Sequence, residues 1–152
     1  LMLKKQFEKF GEPDMALFDR GIIDRLPFAR ANFLFGRLDE GKFSASLSNI
    51  FSGLSDLNES FETAIILMLT TPEESLKREG GKQGRVMNPA FLRNLYEQYL
   101  RYHLEAIKAF EEEDPMTPYV CLDMSNTLEI NAKLVAQIFG EILLFYYPQK
   151  VE

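Results

Sequence analysis

The chain has 152 residues, 46% of them hydrophobic and 12% aromatic, which excludes a disordered polypeptide and predicts one globular domain over residues 1–152. Its 17 basic and 23 acidic side chains give a net charge of −6, so we expect no general affinity for nucleic acid polymers or an anionic membrane. The single cysteine, Cys121, excludes an internal disulfide, and no apolar run approaches the roughly 20 residues of a membrane helix, so we predict a cytoplasmic protein.

The first predicted element is a short apolar run, residues 15–19, that ends in a charged pair. We predict a buried strand here, followed by a helix, with Asp19 and Arg20 at the junction. The Asp19 carboxylate suits magnesium bound through water, and the Arg20 guanidinium suits a phosphate or hydroxyl of a substrate. A structural salt-bridge cluster with Asp24 and Arg25 is the alternative.

Residues 36–42 have the G-x-x-x-x-G-K spacing of a phosphate-binding loop. We reject that interpretation because Phe43 stands where Ser or Thr would hold magnesium, and because Asp39 and Glu40 would repel a polyanion. The preceding segment also has helical spacing, whereas a phosphate loop follows a strand. We therefore predict a polar loop that closes a helix, and a second helix over residues 46–61.

The second strand is predicted over residues 63–70, and a helix should follow it at once. Thr71 is placed to cap that helix, with Pro72 at its first position and Glu74 closing a capping box. The helix should stop at the two glycines of residues 80–81.

A basic segment, residues 76–89, joins this helix to the next and combines three glycines with cations that include Arg78, Lys82 and Arg85. Glycine gives the segment freedom to move, and its cations attract a polyphosphate. We predict a lid that closes over a transferring phosphoryl group. The alternative is an ordinary exposed loop, because helix C-termini favour glycine and basic residues for their own sake.

A long helix is predicted to begin at Asn88 and Pro89 and to end in the acidic run 111–114. Its predicted buried face consists of residues at helical spacing, namely Leu92, Leu95, Tyr96, Tyr99, His103, Ile107 and Phe110. We interpret His103, the only histidine, as a packed or partly exposed helix residue and not as a catalyst. With one histidine and one cysteine, we expect neither a zinc cluster nor a thiol–histidine pair.

The third strand is predicted over residues 119–124, with Cys121 buried in it. A final helix should begin at a capping box formed by Asn126 and Glu129. Together these elements predict an α/β fold in which a parallel sheet is flanked by helices.

Polar groups follow each of the three predicted strands. Ligands of such a sheet bind beyond the carboxyl ends of its strands, so Asp19, Thr70 and Asp123 should lie near one edge. The alternative is that Thr71 and Asn126 only cap helices and that Asp19 is only a turn residue.

The order of these elements resembles that of the P-loop deoxynucleoside kinases and the related thymidylate kinases. The similarity rests on the "DR" pair at residues 19–20, on "ILMLTTPEESLKREGGKQGR", and on the strand that ends in "LDMSN". It implies a P-loop kinase-like three-layer sandwich that uses ATP and Mg²⁺ to phosphorylate a nucleoside or a nucleoside monophosphate. It also allows a homodimer, because related kinases pair through long helices.

The resemblance implies roles for individual residues. The residues that it nominates are Asp19, Arg20 and Arg85 as catalytic groups, Arg78, Lys82, Arg85, Asp123 and Asn126 as ATP-binding groups, and Asp19 as the magnesium-side acid. The lid cations would face the phosphates, and residues 123–127 would lie beside the adenine.

The family's phosphate loop, and the second strand that carries a catalytic base, have no counterpart in residues 1–152. We therefore expect the fold to be incomplete at its N-terminus by on the order of 30 to 60 residues, one strand–helix–strand unit with flanks. We expect these 152 residues to have little kinase activity, because transfer depends on positioning the phosphates. The alternative function is a non-catalytic kinase-like binding or dimerisation module, for which the apolar "ILLFYYP" offers surface.

Overall fold

The computed structural model describes residues 21–60, 62–79, 88–112 and 118–148. The chain divides into two compact units, residues 1–59 and 60–152, and each is described by itself. The described residues are mixed α and β and mostly helical, with one two-stranded parallel sheet. This agrees with the predicted α/β class, while the strand predicted at residues 15–19 lies outside the described residues.

The first unit contains a short 3-10 helix, Ile22–Asp24, and two α-helices, α1 (Arg25–Leu34) and α2 (Glu40–Ser60). Leu26 and Ala31 on α1 are buried, with 6% and 0% of their surfaces exposed. The helical spacing read from the sequence is therefore confirmed, although α2 begins earlier than predicted.

A polar loop joins α1 to α2. Gly36 has a φ of +67°, in the left-handed region that favours glycine, and its amide donates to the Phe33 carbonyl at 2.9 Å. Lys42 pairs with Asp39, the Lys42 ammonium lying 2.8 Å from the carboxylate, and this contact lowers the pKa of Asp39. The cation of the apparent phosphate-loop motif is therefore held by a carboxylate. The predicted loop at the end of a helix is confirmed up to residue 39, while residues 40–42 form the first turn of α2.

The second unit contains β1 (Ile65–Leu69), α3 (Pro72–Glu79), α4 (Pro89–Glu112), β2 (Tyr119–Asp123) and α5 (Leu128–Tyr146). The two strands are parallel, with Ile65 opposite Tyr119 and Leu69 opposite Asp123. Parallel neighbours need a crossover connection, and α3 and α4 lie on it. The carboxyl ends of both strands therefore lie at the same edge of the sheet.

Both strands are less buried than predicted. Leu67 and Leu122 are buried, exposing 8% and 5% of their surfaces, whereas Met68 exposes 53%. Cys121, predicted to be buried, is half-buried. Adjacent side chains of a strand point to opposite faces, so a strand is fully buried only when both faces are covered. The prediction of fully buried strands is wrong for this pair.

The buried face of α4 also differs from the predicted one. Its buried residues are Phe91, Leu95 and Gln98, which expose 4%, 5% and 7% of their surfaces, while Ile107 exposes 39%. Among the residues of the predicted face whose burial the structure describes, Leu95 is the buried one. The position of the sheet decides which face of a helix is covered, and α4 has apolar residues on more than one face.

Two helices start where the sequence predicts, and each start is capped by a side chain. The Thr71 hydroxyl accepts from the Glu74 amide at 3.3 Å, and the Asn88 side chain accepts from the Ala90 amide at 2.9 Å. Thr71 and Asn88 therefore cap α3 and α4. A capping box also requires the Glu74 carboxylate to accept from the Thr71 amide. That part of the prediction is wrong, because the carboxylate pairs with Arg78 instead.

The cap predicted at Asn126 is wrong by one residue. Thr127 has the extended backbone of a cap, with φ −63° and ψ 157°, and its side chain accepts from the Ile130 amide at 3.4 Å. A cap must stand directly before the first helical residue, and α5 begins one residue later than the Asn126 cap would require.

Candidate functional site

The parallel register brings two loops to one edge of the sheet. The Met124 amide donates to the Leu69 carbonyl at 2.7 Å, which ties the residues after β2 to the end of β1. We call residues 123–127 the strand-end loop. Thr70 and Asp123 share this edge as predicted, and Asp19, the third residue expected there, lies outside the described residues.

Arg78, predicted as a lid cation, lies in the last turn of α3 and reaches the strand-end loop. One of its terminal nitrogens donates to the Met124 carbonyl at 2.7 Å and to the Asn126 carbonyl at 3.4 Å. Its Nε donates to Glu74 at 3.3 Å. The structure therefore brings together two segments that are 46 to 48 residues apart in sequence.

Asn131 contacts the same two carbonyl groups from α5. Its amide nitrogen donates to Met124 at 3.0 Å and to Asn126 at 3.1 Å, and only 3% of the residue is exposed. Asn131 was not predicted as a site residue. The signal that could have indicated it is an amide side chain in the first turn of a helix that directly follows a strand-end loop.

Asp123 closes the loop from within. Its carboxylate accepts from the Ser125 amide at 2.9 Å and from the Ser125 hydroxyl. These hydrogen bonds to the charged form lower the pKa of Asp123, so the carboxylate is ionised at neutral pH. Asn126, predicted as a binding residue, takes part in this arrangement through its backbone carbonyl.

A small cavity of about 210 Å³ lies at the same edge. Its lining comes from the ends of both strands and from α4, namely Leu69, Thr71, Tyr96, Cys121, Leu122 and Asp123. Burial, and then the charge of Asp123, raise the pKa of the Cys121 thiol, which therefore stays protonated at neutral pH. This cavity is smaller than ligand pockets usually are, so it suits one group of a ligand and not a whole nucleotide.

The other end of β2 is occupied by aromatic side chains. The His103 Nδ1 atom lies 2.9 Å from the Tyr119 hydroxyl, and the Tyr102 ring meets the Tyr119 ring edge-on at 6.2 Å. His103 is half-buried, which agrees with its interpretation as a packed helix residue. Because Tyr119 begins β2 and Asp123 ends it, this group lies at the opposite end of the strand from the candidate site.

Four predicted site residues, Asp19, Arg20, Lys82 and Arg85, lie outside the described residues. Their roles, including magnesium binding by Asp19, stay predictions. Within the described ranges, no three His, Cys, Asp or Glu side chains are grouped so that they could hold a metal ion.

Comparison of the chain with protein-family models, curated proteins and solved structures finds no match. In the described parts of the chain, no helix combines the length and the apolar character needed to cross a membrane. The function is therefore inferred from the residues and contacts of the site.

Proposed function

We propose that residues 60–152 contribute to a domain that transfers the γ-phosphoryl group of ATP to a nucleoside or a nucleoside monophosphate. The observation that carries this proposal is the contact of Arg78, at the start of the basic segment, with the strand-end loop. The kinase resemblance assigns these two segments to one ATP site. Their contact lies at the carboxyl edge of a parallel sheet, where α/β folds bind ligands.

The proposed fold is a P-loop kinase-like three-layer sandwich in which β1 and β2 are neighbouring strands. Their partial exposure supports this proposal, because Met68, 53% exposed, leaves apolar surface that further layers of such a sandwich would cover. The parallel pairing and the helical crossover between the two strands have the form that this class of fold requires.

The proposed roles follow the chemistry of the side chains. Bound ATP supplies the transferable phosphoryl group, and Mg²⁺ supplies charge that neutralises the phosphate oxygens. Arg85 would bridge two phosphate oxygens through its guanidinium, with Lys82 adding positive charge beside it. Asp19 would hold the magnesium through water, and Arg20 would orient the acceptor.

The strand-end loop suits the base side of ATP in this proposal. Asp123 and the Asn126 backbone lie in a loop whose shape is set by hydrogen bonds before any ligand arrives. A loop organised in advance loses less entropy when it binds a ligand, so less of the binding energy is lost.

Turnover measurements test this proposal. Residues 1–152, and the same chain extended by any coding sequence that precedes Leu1, are incubated with ATP, Mg²⁺ and a panel of deoxynucleosides and nucleoside monophosphates. We expect transfer from the polypeptide that supplies a phosphate loop and little from residues 1–152 alone. If neither polypeptide binds ATP or phosphorylates any acceptor, the proposal is wrong.

A second candidate function, a non-catalytic binding or dimerisation module, is favoured by the apolar surface of α5. Leu128 exposes 86% of its surface and Phe145 63%. Apolar surface of this kind often marks a site of protein association. Sedimentation equilibrium of the parent and of Phe145→Ser tests it, and a dimer that the substitution dissociates, without any turnover, would favour this function.

A further inference from the structure

Two carbonyl groups of the strand-end loop each receive two hydrogen bonds from side chains outside the loop. The Met124 carbonyl accepts from Arg78 at 2.7 Å and from Asn131 at 3.0 Å. The Asn126 carbonyl accepts from the same two side chains at 3.4 Å and 3.1 Å. A carbonyl oxygen has two lone pairs, so both groups are fully used by the protein itself.

Arg78 is held in place by its own helix. The Glu74 carboxylate, one turn earlier, accepts from the Arg78 Nε, and the Glu74 side chain is 28% exposed against 43% for Arg78. A planar guanidinium presents its donors in fixed directions, so fixing Nε also directs the terminal nitrogen at the two carbonyls. Arg78 thereby joins the end of α3 to the strand-end loop.

We propose that Arg78 is a positioning residue: it acts as a latch that holds the strand-end loop against the end of α3, and it does not bind phosphate. The effect on ATP rests on the proposed function, whereas the latch itself rests on the hydrogen bonds alone. This assignment differs from the lid-cation role that the kinase resemblance implies for Arg78. The Nε atom and one terminal nitrogen of the guanidinium already serve one carboxylate and two carbonyl groups. Each pair of parallel guanidinium donors includes that terminal nitrogen, so two-point binding of a phosphate would have to break at least one of these bonds.

Hydrogen exchange tests the latch without any nucleotide. The Met124 and Ser125 amides are hydrogen-bonded within or beside the loop, so their exchange reports its opening. Arg78→Ala should speed this exchange on the order of tenfold, the factor that corresponds to losing one charge-assisted hydrogen bond. Arg78→Lys should recover part of the protection, because one ammonium cannot reproduce the geometry of the fork.

Arg101→Ala is the matched control. Arg101 is an exposed arginine on α4 that donates to Glu105, four residues later, at 2.9 Å, and so repeats the local chemistry of Arg78 away from the loop. This variant should leave exchange in the strand-end loop unchanged. Arg78→Ala exchange rates equal to those of the parent would overturn the proposal.

Kinetics on a polypeptide that shows turnover separate positioning from phosphate binding. A positioning role predicts that Arg78→Ala raises the KM for ATP by about tenfold and keeps kcat within about twofold, the pattern of a ground-state binding loss. A fall in kcat of about 100-fold with little change in KM would instead assign Arg78 to the phosphates and overturn the proposal. If no polypeptide with this sequence binds ATP while Arg78→Ala still loosens the loop, the proposed function fails and the latch stands.

Discussion

The two ends of β2 are held by different kinds of contact. At the amino end, Tyr119 lies against Tyr102 and His103, both from α4, and the contacts include aromatic packing and a hydrogen bond. At the carboxyl end, polar side chains from α3 and α5, Arg78 and Asn131, hold the backbone of a loop. Five residues of one strand, Tyr119–Asp123, therefore separate a packed aromatic group from an ordered polar edge.

The difference indicates where function lies in this unit. Aromatic packing at the amino end stabilises the fold by burying apolar surface, and it leaves little to offer a ligand. A polar loop gains less free energy from burial, and ordering it with side chains from two helices costs conformational entropy. Order of this kind is expected where the loop serves a role. The predictions below alter the two ends separately, from the largest expected effect to the smallest.

The largest effect should appear in turnover, on changing the predicted lid cations. In a polypeptide that shows turnover, Arg85→Ala should lower kcat by about 100- to 1000-fold, about 2.7 to 4 kcal/mol of transition-state stabilisation, with little change in melting temperature. Arg85→Lys should recover only part of this, because one ammonium cannot reproduce the fork of a guanidinium. Lys82→Ala should cost less if Lys82 only adds positive charge that solvent screens. An Arg85→Ala enzyme as fast as the parent would remove Arg85 from the site.

The second effect should appear in stability at the carboxyl end. Asn131→Ala should lower the free energy of unfolding by about 1 to 2 kcal/mol, because two carbonyl groups each lose a buried donor. Its Oδ1 atom has no hydrogen-bond partner among the described residues, so losing that atom offsets part of the cost. Urea unfolding at neutral pH measures the difference.

Gln137→Ala is the control for that measurement. Gln137 is an amide on the same helix that donates to Glu141 at 3.1 Å, and the contact is exposed. It should change stability by no more than about 0.5 kcal/mol. Equal losses in Asn131→Ala and Gln137→Ala would show that the loop does not depend on Asn131.

A smaller effect is expected at the amino end. Tyr119→Phe removes only the hydroxyl that meets His103, and it should cost about 1 kcal/mol of stability without changing the KM for ATP. Tyr102→Phe is the control, because the Tyr102 hydroxyl makes no hydrogen bond within the described residues; it should change stability by less than about 0.5 kcal/mol. A change in KM for Tyr119→Phe would show that the two ends of β2 are coupled.

The pH dependence of stability should have opposite signs at the two ends. Burial raises the pKa of Tyr102 to about 12 and also raises the pKa of Tyr119 beside it, so the stability from these two groups is complete below pH 10 and is lost as pH rises further. Hydrogen bonds from Ser125 lower the pKa of Asp123, so its contribution is complete above about pH 4 and is lost as pH falls further. Urea unfolding across this range should show both declines.

Single substitutions assign each decline to its end of β2. Tyr102→Phe should remove part of the loss of stability between pH 10 and 12, and Tyr119 should account for the rest at that end. Asp123→Asn should flatten the loss in acid, since the side chain then has no carboxylate to protonate. If Tyr102→Phe leaves the alkaline decline as steep as in the parent, Tyr102 is not the group responsible.

Features that depend on neighbours in the chain could be predicted well from the sequence. Thr71 and Asn88 cap helices because a hydroxyl or amide next to the first turn meets free backbone amides there, whatever surrounds it. Apolar runs at residues 63–70 and 119–124 contain the two described strands, Ile65–Leu69 and Tyr119–Asp123. The rejection of a phosphate loop at residues 36–42 also rests on near neighbours, because Asp39 is three residues from Lys42 and pairs with it.

Features that depend on distant parts of the chain were predicted poorly. Asn126 and Thr127 are both suitable caps by composition, and the start of α5 decides between them. Leu92 and Phe91 are both apolar residues near the start of α4, and Phe91 is the buried one because of where that helix packs. Asn131 donates to carbonyl groups only five and seven residues earlier, but those carbonyl groups face it only because of how the strand-end loop folds.

By itself the sequence determined the starts of α3 and α4, the apolar runs of the two strands, and a basic segment in an otherwise acidic chain. Each of these follows from residues within a few positions of one another, whose interactions persist in almost any tertiary arrangement. Only the tertiary structure decided that Arg78 meets Met124 and Asn126, 46 and 48 residues away. That contact exists because parallel pairing sets Leu69 opposite Asp123, and no local pattern specifies which distant strand a given strand will pair with.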